Sequence, residues 1–101
     1  MKIQFAWDEA KAEANFRKHQ VRFHTAVLAF ADRNALSEQD RIENGELRWQ
    51  TLGKVNGRLL LLVAHTIQDD DEDGVPVEFI RIISAREATR RERQKYERDN
   101  R

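Results

Sequence analysis

Two Asn-Gly pairs, Asn44-Gly45 and Asn56-Gly57, sit between extended-looking segments in the stretch LSEQDRIENGELRWQTLGKVNGRLLLLVAHT. A two-residue hairpin turn of type I′ needs positive φ at both central positions, which Asn tolerates and Gly adopts freely, so each pair predicts a tight reversal between paired strands. The chain must then contain a meander of three antiparallel strands, at about 35 to 42, 46 to 55 and 58 to 67. The third, RLLLLVAHTI, is apolar on both sides at its middle, which predicts a central strand covered from both faces.

The flanking segments supply that cover. KIQFAW at 2 to 7 alternates apolar and polar residues, as a short strand does. Asp8 is placed to cap a helix reaching about His19, with Trp7 folding back on Ala12. In FHTAVLAFA, Phe23, Val27 and Phe30 recur at helical spacing and predict a second helix with a true core face. VEFIRIISA at 77 to 85 reads as the last strand, and Ser84 with Glu87 has the Ser-x-x-Glu pattern of a capping box opening a final helix. That helix is nearly all polar, anchored only by Ala85, Ala88, Thr89 and Tyr96. The order predicts one α+β domain over residues 1–101, with a mostly antiparallel sheet of about four to five strands, two N-terminal helices and a C-terminal helix.

Cysteine is absent, which excludes a disulfide framework, a thiolate metal site and a cysteine nucleophile. The N-terminal stretch lacks the apolar run of a signal peptide, and the longest such run, LLLLVA at 59 to 64, is too short to span a bilayer; a soluble cytoplasmic protein with no membrane partner is expected. The formal charge of zero conceals a separation. From Ile80 onward eight Lys or Arg face four acids, a net +4, so the rest carries −4, much of it in DDDED at 69 to 73. A polyanion partner is compatible with such segregation.

Steps of three and four residues share a helical face, so Arg86, Arg90 and Arg93 line one stripe ending at Glu97. Guanidinium forks suit phosphate oxygens; the plainer reading is a solvated helix held by pairs such as Arg93 with Glu97. Arg81 interrupts a β-branched strand, so it must find a carboxylate or face a wet groove. His65, ending the central strand, is either a packed histidine or a proton shuttle. In DDDEDG the residues Asp69, Asp71, Asp73 and Gly74 match half of an EF-hand loop, but the twelfth position is Ile80 and Pro76 intervenes; a solvated hairpin tip is expected instead. There is no phosphate-cradling glycine loop, no His-Glu-x-x-His and no Gly-x-Ser-x-Gly, while His19 and His24 are poorly spaced for zinc, so neither a metal nor a cofactor is expected.

Three stretches, FAWDEAKAEANFRKHQVRF, ELRWQTLGKVNGRLLLLV and IRIISAREATRRERQKYE, together resemble the BrnT family, the toxins of BrnT/BrnA type II toxin-antitoxin systems. The likeness spans nearly the whole chain through Trp7-Asp8, Lys18-His19, Arg48, Gly53, Gly57-Arg58 and RIISAR; Gln20 stands where relatives often have glycine. The resemblance implies a RelE-like fold and a metal-independent endoribonuclease that cleaves RNA and inhibits translation, with the ribosome as a candidate partner. It also implies a cognate DNA-binding BrnA-like antitoxin and a homodimer or a hetero-oligomer with it.

Metal-free RNA cleavage needs a base for the 2′ hydroxyl, an acid for the leaving oxygen and fixed cations at the phosphate. The resemblance assigns the cations to Arg81 and Arg86, and His65 is the candidate base or acid, with Lys54 and Glu87 in reserve. Arg48, Lys54, Arg58, Arg90 and Arg93 would track the RNA backbone, and Tyr96 would stack on a base. The alternative is a non-enzymatic toxin-fold protein or corepressor acting through protein partners, since fold alone does not decide function.

Overall fold

The computed structural model describes residues 2–100; Arg101, one of the C-terminal cations counted above, lies outside them. Strand β1 (Lys2–Ala6) is followed by helix α1 (Glu9–His19), helix α2 (Phe23–Val27) and a 3-10 helix (Leu28–Ala31). Strands β2 (Leu36–Glu43), β3 (Glu46–Val55), β4 (Leu59–Glu72) and β5 (Val75–Glu87) then lead to helix α3 (Arg90–Asp99). The five strands form one sheet in the order β1-β5-β4-β3-β2, parallel only between β1 and β5. The expected α+β class is therefore present, the sheet has five strands where four to five were expected, and the apolar β4 is the middle strand.

Both Asn-Gly pairs make their turns, with positive φ at Asn44, Gly45, Asn56 and Gly57. A third such turn, Asp73-Gly74, joins β4 to β5. The acidic stretch is not a loop: Asp69 to Glu72 pair with Glu78 to Val75, because extended backbone hydrogen bonding continues where the side chains are merely solvated. Among the described residues no group of carboxylates and imidazoles is placed to hold a metal ion.

Asp8 caps α1 as expected, its carboxylate accepting from the Ala10 and Lys11 amides at 2.8 and 3.2 Å. At the other end Gln20 takes the left-handed conformation (φ 61°) while its amide donates to the Phe16 carbonyl at 2.8 Å. An L side chain is disfavoured there, whereas a glycine would adopt this conformation without strain.

One sheet face is covered by α1, α2 and the 3-10 helix. Its core holds Phe23, Ala26, Ala29, Val55, Leu61, Val63, Ile82 and Ala85. The 3-10 helix lies so close that a Cβ on Gly53 would sit 2.2 Å from the Ala29 carbonyl oxygen, which admits only glycine on β3 at that point. On the opposite face α3 covers a smaller cluster of Leu52, Leu60, Leu62 and Tyr96, bordered by Leu36 and Ala88. Each fully buried leucine contributes roughly 1.5–3 kcal/mol, so the short LLLLV run carries much of the stability.

The start of α3 differs from the sequence expectation. Ser84 lies inside β5, which pairs with β4 as far as Glu87 opposite Leu61. The capping box belongs to Thr89 and Glu92 instead: the Glu92 amide donates to the Thr89 hydroxyl at 3.2 Å and the Thr89 amide to the Glu92 carboxylate at 2.8 Å. Apolar Leu61 and Leu62 need a partner strand, and that demand carries β5 past the first Ser-x-x-Glu.

Beyond the end of β1, the outer edge of β5 is paired by a side chain. Asn15 of α1 is buried; its Oδ1 accepts from the Ala85 amide at 3.0 Å, and its Nδ2 donates to the Ala85 and Val21 carbonyls at 2.9 and 3.0 Å. One carboxamide thus replaces a missing strand and ties three segments together. Replacing Asn15 with Ala orphans three buried groups and should lower unfolding stability by at least about 3 kcal/mol in urea titration, counting about 1 kcal/mol or more per unsatisfied group. Gln20→Gly should do the reverse, raising stability by about 1 kcal/mol by relieving the left-handed strain, as read by a higher urea midpoint.

Candidate functional site: the α3 face of the sheet

Arg81 and Arg86 are five residues apart, and an unbroken strand would put them on opposite faces. A β-bulge corrects the parity. Ala64 pairs with Ser84 but His65 pairs with Ile82, leaving Ile83 as an extra residue on β5. Arg81 therefore lies opposite Thr66 and Arg86 opposite Leu62, both on the α3 face. Alternation from Gln50, which pairs with Ala64, brings Glu46, Arg48 and Lys54 to the same face. The structure thus gathers four of the predicted site residues on one side of the sheet.

Their cations do not converge freely on solvent as the sequence suggests. Arg81 Nη2 bonds Glu46 Oε1 at 2.6 Å across β4, with both side chains 44% exposed. This pairing is what holds the Glu46 carboxyl below its usual range. Arg86 is more firmly held: Nη1 and Nη2 grip the two Glu92 oxygens at 2.8 and 2.9 Å, and Nη1 also reaches the Glu87 carbonyl at 3.3 Å. The bidentate bond from Arg86 depresses the Glu92 carboxyl, and Glu92 in turn raises the Arg86 guanidinium further. Because Glu92 also caps α3, Arg86 locks the helix to β5. Arg48 is mostly covered and contacts Glu43 at 3.3 Å.

His65 is on the other face, removed from both arginines. It is 1% exposed, beneath Phe30, with ring centroids 4.9 Å apart. Nδ1 lies 3.3 Å from the Thr66 carbonyl, which can only accept, so Nδ1 carries the proton and Nε2 accepts from Thr51 Oγ1 at 2.7 Å. Thr51 in turn accepts from Ser37 Oγ at 2.8 Å. This is a packed, satisfied imidazole rather than a base within reach of a substrate. The held-back Glu87 likewise falls opposite Leu61, away from the α3 face.

Tyr96 is also corrected. It is 5% exposed and its hydroxyl donates to Asp32 Oδ2 at 2.6 Å, so its ring seals the α3 cluster instead of stacking on a base. Burial and the Asp32 hydrogen bond push its pKa up to about 12. Burial pushes Asp32 upward, yet the Lys54 amide, Tyr96 hydroxyl and Asn34 amide together hold it below its ordinary value. Arg58 is exposed beside the Asn56-Gly57 turn, and Arg90 and Arg93 lie on α3 with no carboxylate within 4.0 Å among the described residues.

Two of the hollows beside α3 reach down to the sheet. The smaller, about 60 Å³, is lined by Glu38, Gln50, Glu92 and Lys95 over Leu36, Leu52 and Leu62. The larger, about 720 Å³, opens between the 3-10 helix, the β3–β4 turn and the C-terminal half of α3. Sequence reasoning missed Glu46 and Glu92, which looked like ordinary solvated acids; the pairing needs of two strand arginines were the available signal. It missed Asn15 too, although a polar residue between Ala12 and Phe16 on one helix face was a sign.

The burial of His65 has a consequence for stability. Burial lowers its folded pKa below the ordinary 6.5, so the unfolded chain takes up the proton first as pH falls. The contribution is fully present above about pH 6.5 and is lost as pH drops through the folded value. Urea midpoints should fall between about pH 7 and about pH 5, and His65→Gln should remove that step.

The profile of one family, described as ribonuclease toxin, BrnT, of type II toxin-antitoxin system, matches residues 7–92. Among solved structures, the crystal structure of the Brucella abortus ribonuclease toxin BrnT is similar, with a TM-score of 0.61 at 20% identity, covering 89% of this chain and 100% of that one. At that identity the likeness is one of fold. No curated protein sequence matches, and no helix among the described residues is long and apolar enough to cross a membrane.

Proposed function

Since the chain belongs to the BrnT family of ribonuclease toxins of type II toxin-antitoxin systems, we propose that it is an endoribonuclease cutting RNA on the α3 face of its sheet, without a metal ion, until a cognate antitoxin covers that face. The observation that carries this reading is the exposed Arg81–Glu46 pair, held across β4 beside Arg48. An exposed ion pair is a weak attachment that a phosphodiester can displace, since its oxygens offer the fork the same paired acceptors. Arg81 would then bind the scissile phosphate.

The exchange also prepares Glu46. While paired, its carboxylate is a feeble base; once Arg81 turns to the phosphate, Glu46 loses the bond that depresses it and becomes more basic beside the substrate. It takes the proton of the 2′ hydroxyl. O2′ attacks phosphorus, the P–O5′ bond breaks, and the departing O5′ takes a proton from solvent. The products are a 2′,3′-cyclic phosphate and a free 5′ hydroxyl. Arg81 balances the charge that grows on the phosphoryl oxygens, a contribution of order 10²–10³ in rate.

Arg86 is a positioning residue in this scheme, because its fork is spent on Glu92 and the helix cap. Inhibition of translation would follow from this cleavage, and repression with a DNA-binding antitoxin would follow from complex formation alone.

Purified protein in the presence of a chelator should cut a defined RNA to cyclic-phosphate ends, with or without ribosomes. Arg81→Ala and Glu46→Gln should each lower kcat about 100-fold or more while circular dichroism stays unchanged. Arg86→Ala should lower thermal stability as well as activity. RNA left intact at high protein concentration, ribosomes included, would overturn the enzymatic reading in favour of action through protein partners.

A further inference from the structure

The large groove beside the end of α3 is not explained by scission at Arg81. It lies at the end of the sheet, between the 3-10 helix and α3, and Lys54, which pairs with Leu60, enters it from the α3 face. Along β3, Lys54 is six residues from Arg48, about 20 Å. Helix α3 crosses between the two places. The groove's walls combine the cations Arg33 and Lys54 with the side-chain amides of Asn34 and Asn56, and carry one exposed carboxylate, Glu97, at the α3 rim. Neither cation has a carboxylate within 4.0 Å among the described residues, in contrast to Arg81 and Arg86. Arg58 stands next to Asn56-Gly57, and helical spacing puts Arg93 on the face of α3 that carries Tyr96 and Glu97.

The floor is rigid. Asp32 takes the Lys54 amide at 2.8 Å, the Tyr96 hydroxyl at 2.6 Å and the Asn34 amide at 2.9 Å, joining the 3-10 helix end, β3 and α3 at one carboxylate. With its charge met by three donors, Asp32 repels an anion less than a free carboxylate would, and the cations around it stay available. The volume of about 720 Å³ is that of a site for a molecule of nucleotide size. Amides that both donate and accept suit base edges, whereas an acidic peptide would use only the cations.

We infer that this groove is a second RNA station, binding the single-stranded flank of the substrate through its phosphates at Arg33 and Arg58 while a base enters between the Asn34 and Asn56 amides. The inference rests on the ribonuclease reading and adds to it the class of substrate: an extended single strand rather than a short oligonucleotide or a duplex. A volume of about 720 Å³ suits a single nucleotide rather than a helical duplex, whose base edges are already paired. The groove grips and the Arg81 end cuts.

The test uses the intact chain and an Arg33→Ala/Arg58→Ala variant, both side chains being exposed and outside the proposed chemistry. With a long single-stranded RNA, KM should rise about 10-fold at unchanged kcat, the equivalent of about 1.4 kcal/mol. A trinucleotide should be cut equally by both proteins. Binding of a 2′-O-methyl single strand, followed by fluorescence anisotropy against salt, should lose about 1.4 from the log–log slope, about 0.7 for each of two phosphates. A chain that cuts RNA while the variant keeps the parent's KM and salt slope overturns the groove assignment and leaves the ribonuclease reading intact. A variant whose lost affinity is for an acidic peptide alone, with RNA unaffected, overturns it also. Failure of the parent to cut or bind any RNA overturns the ribonuclease reading itself.

Discussion

The extra residue in β5 is the constraint on which the rest of the molecule turns. Ile83 has no partner on β4, and that single insertion reverses the facing of every side chain after it. Without it, Ile82 and Ala85 could not both enter the helix-covered core, nor could Arg81 and Arg86 share the opposite face. Because β1 ends opposite Arg81, the outer edge of β5 has no strand beside Ala85, and the Asn15 carboxamide takes its place from α1. Bulge and carboxamide form a unit: one changes the parity, the other closes the gap.

Electrostatics in this chain follow the same economy. A formal charge of zero suggests nothing about a polyanion, but the balance is local rather than diffuse. Strand arginines on the α3 face are matched to carboxylates, Arg81 loosely and Arg86 tightly. Among the described residues, cations without such partners include Arg33 and Lys54 on the groove, Arg58 on the β3–β4 turn, Arg90 and Arg93 on α3, and Lys11, Arg17 and Lys18 on α1. The tight pair positions a helix, the loose pair is exchangeable, and the unmatched groups beside the groove form the attractive surface. Three kinds of arginine thus do three kinds of work within one small sheet.

Much of the architecture was legible because it rests on local chemistry. The Asn-Gly turns, the Asp8 cap and the apolar middle of β4 depend on a few adjacent residues, and all are found where the sequence puts them. The site was less legible because it depends on parity and on distant pairing. Spacing could not show that Ile83 would be skipped, so the joint facing of Arg81 and Arg86 rested on family likeness alone. Ser84-Ala85-Arg86-Glu87 and Thr89-Arg90-Arg91-Glu92 are equally good capping boxes, and only β4's need for cover selects the second. His65 and Tyr96 look chemically available in one dimension; Thr51 and Asp32, distant in sequence, engage them.

The outermost strand β2 pairs with β3, but its register breaks between Gln39 and Ile42, where Asp40 and Arg41 bow out with their charges. A bent, charged border gives a neighbouring chain no straight row of amides and carbonyls to zip onto. Growth into filaments through this border is thereby blocked, and so is recognition by an added strand. At this border a partner must engage side chains rather than the main chain, whereas the opposite edge, β1, keeps a regular register and carries no such break.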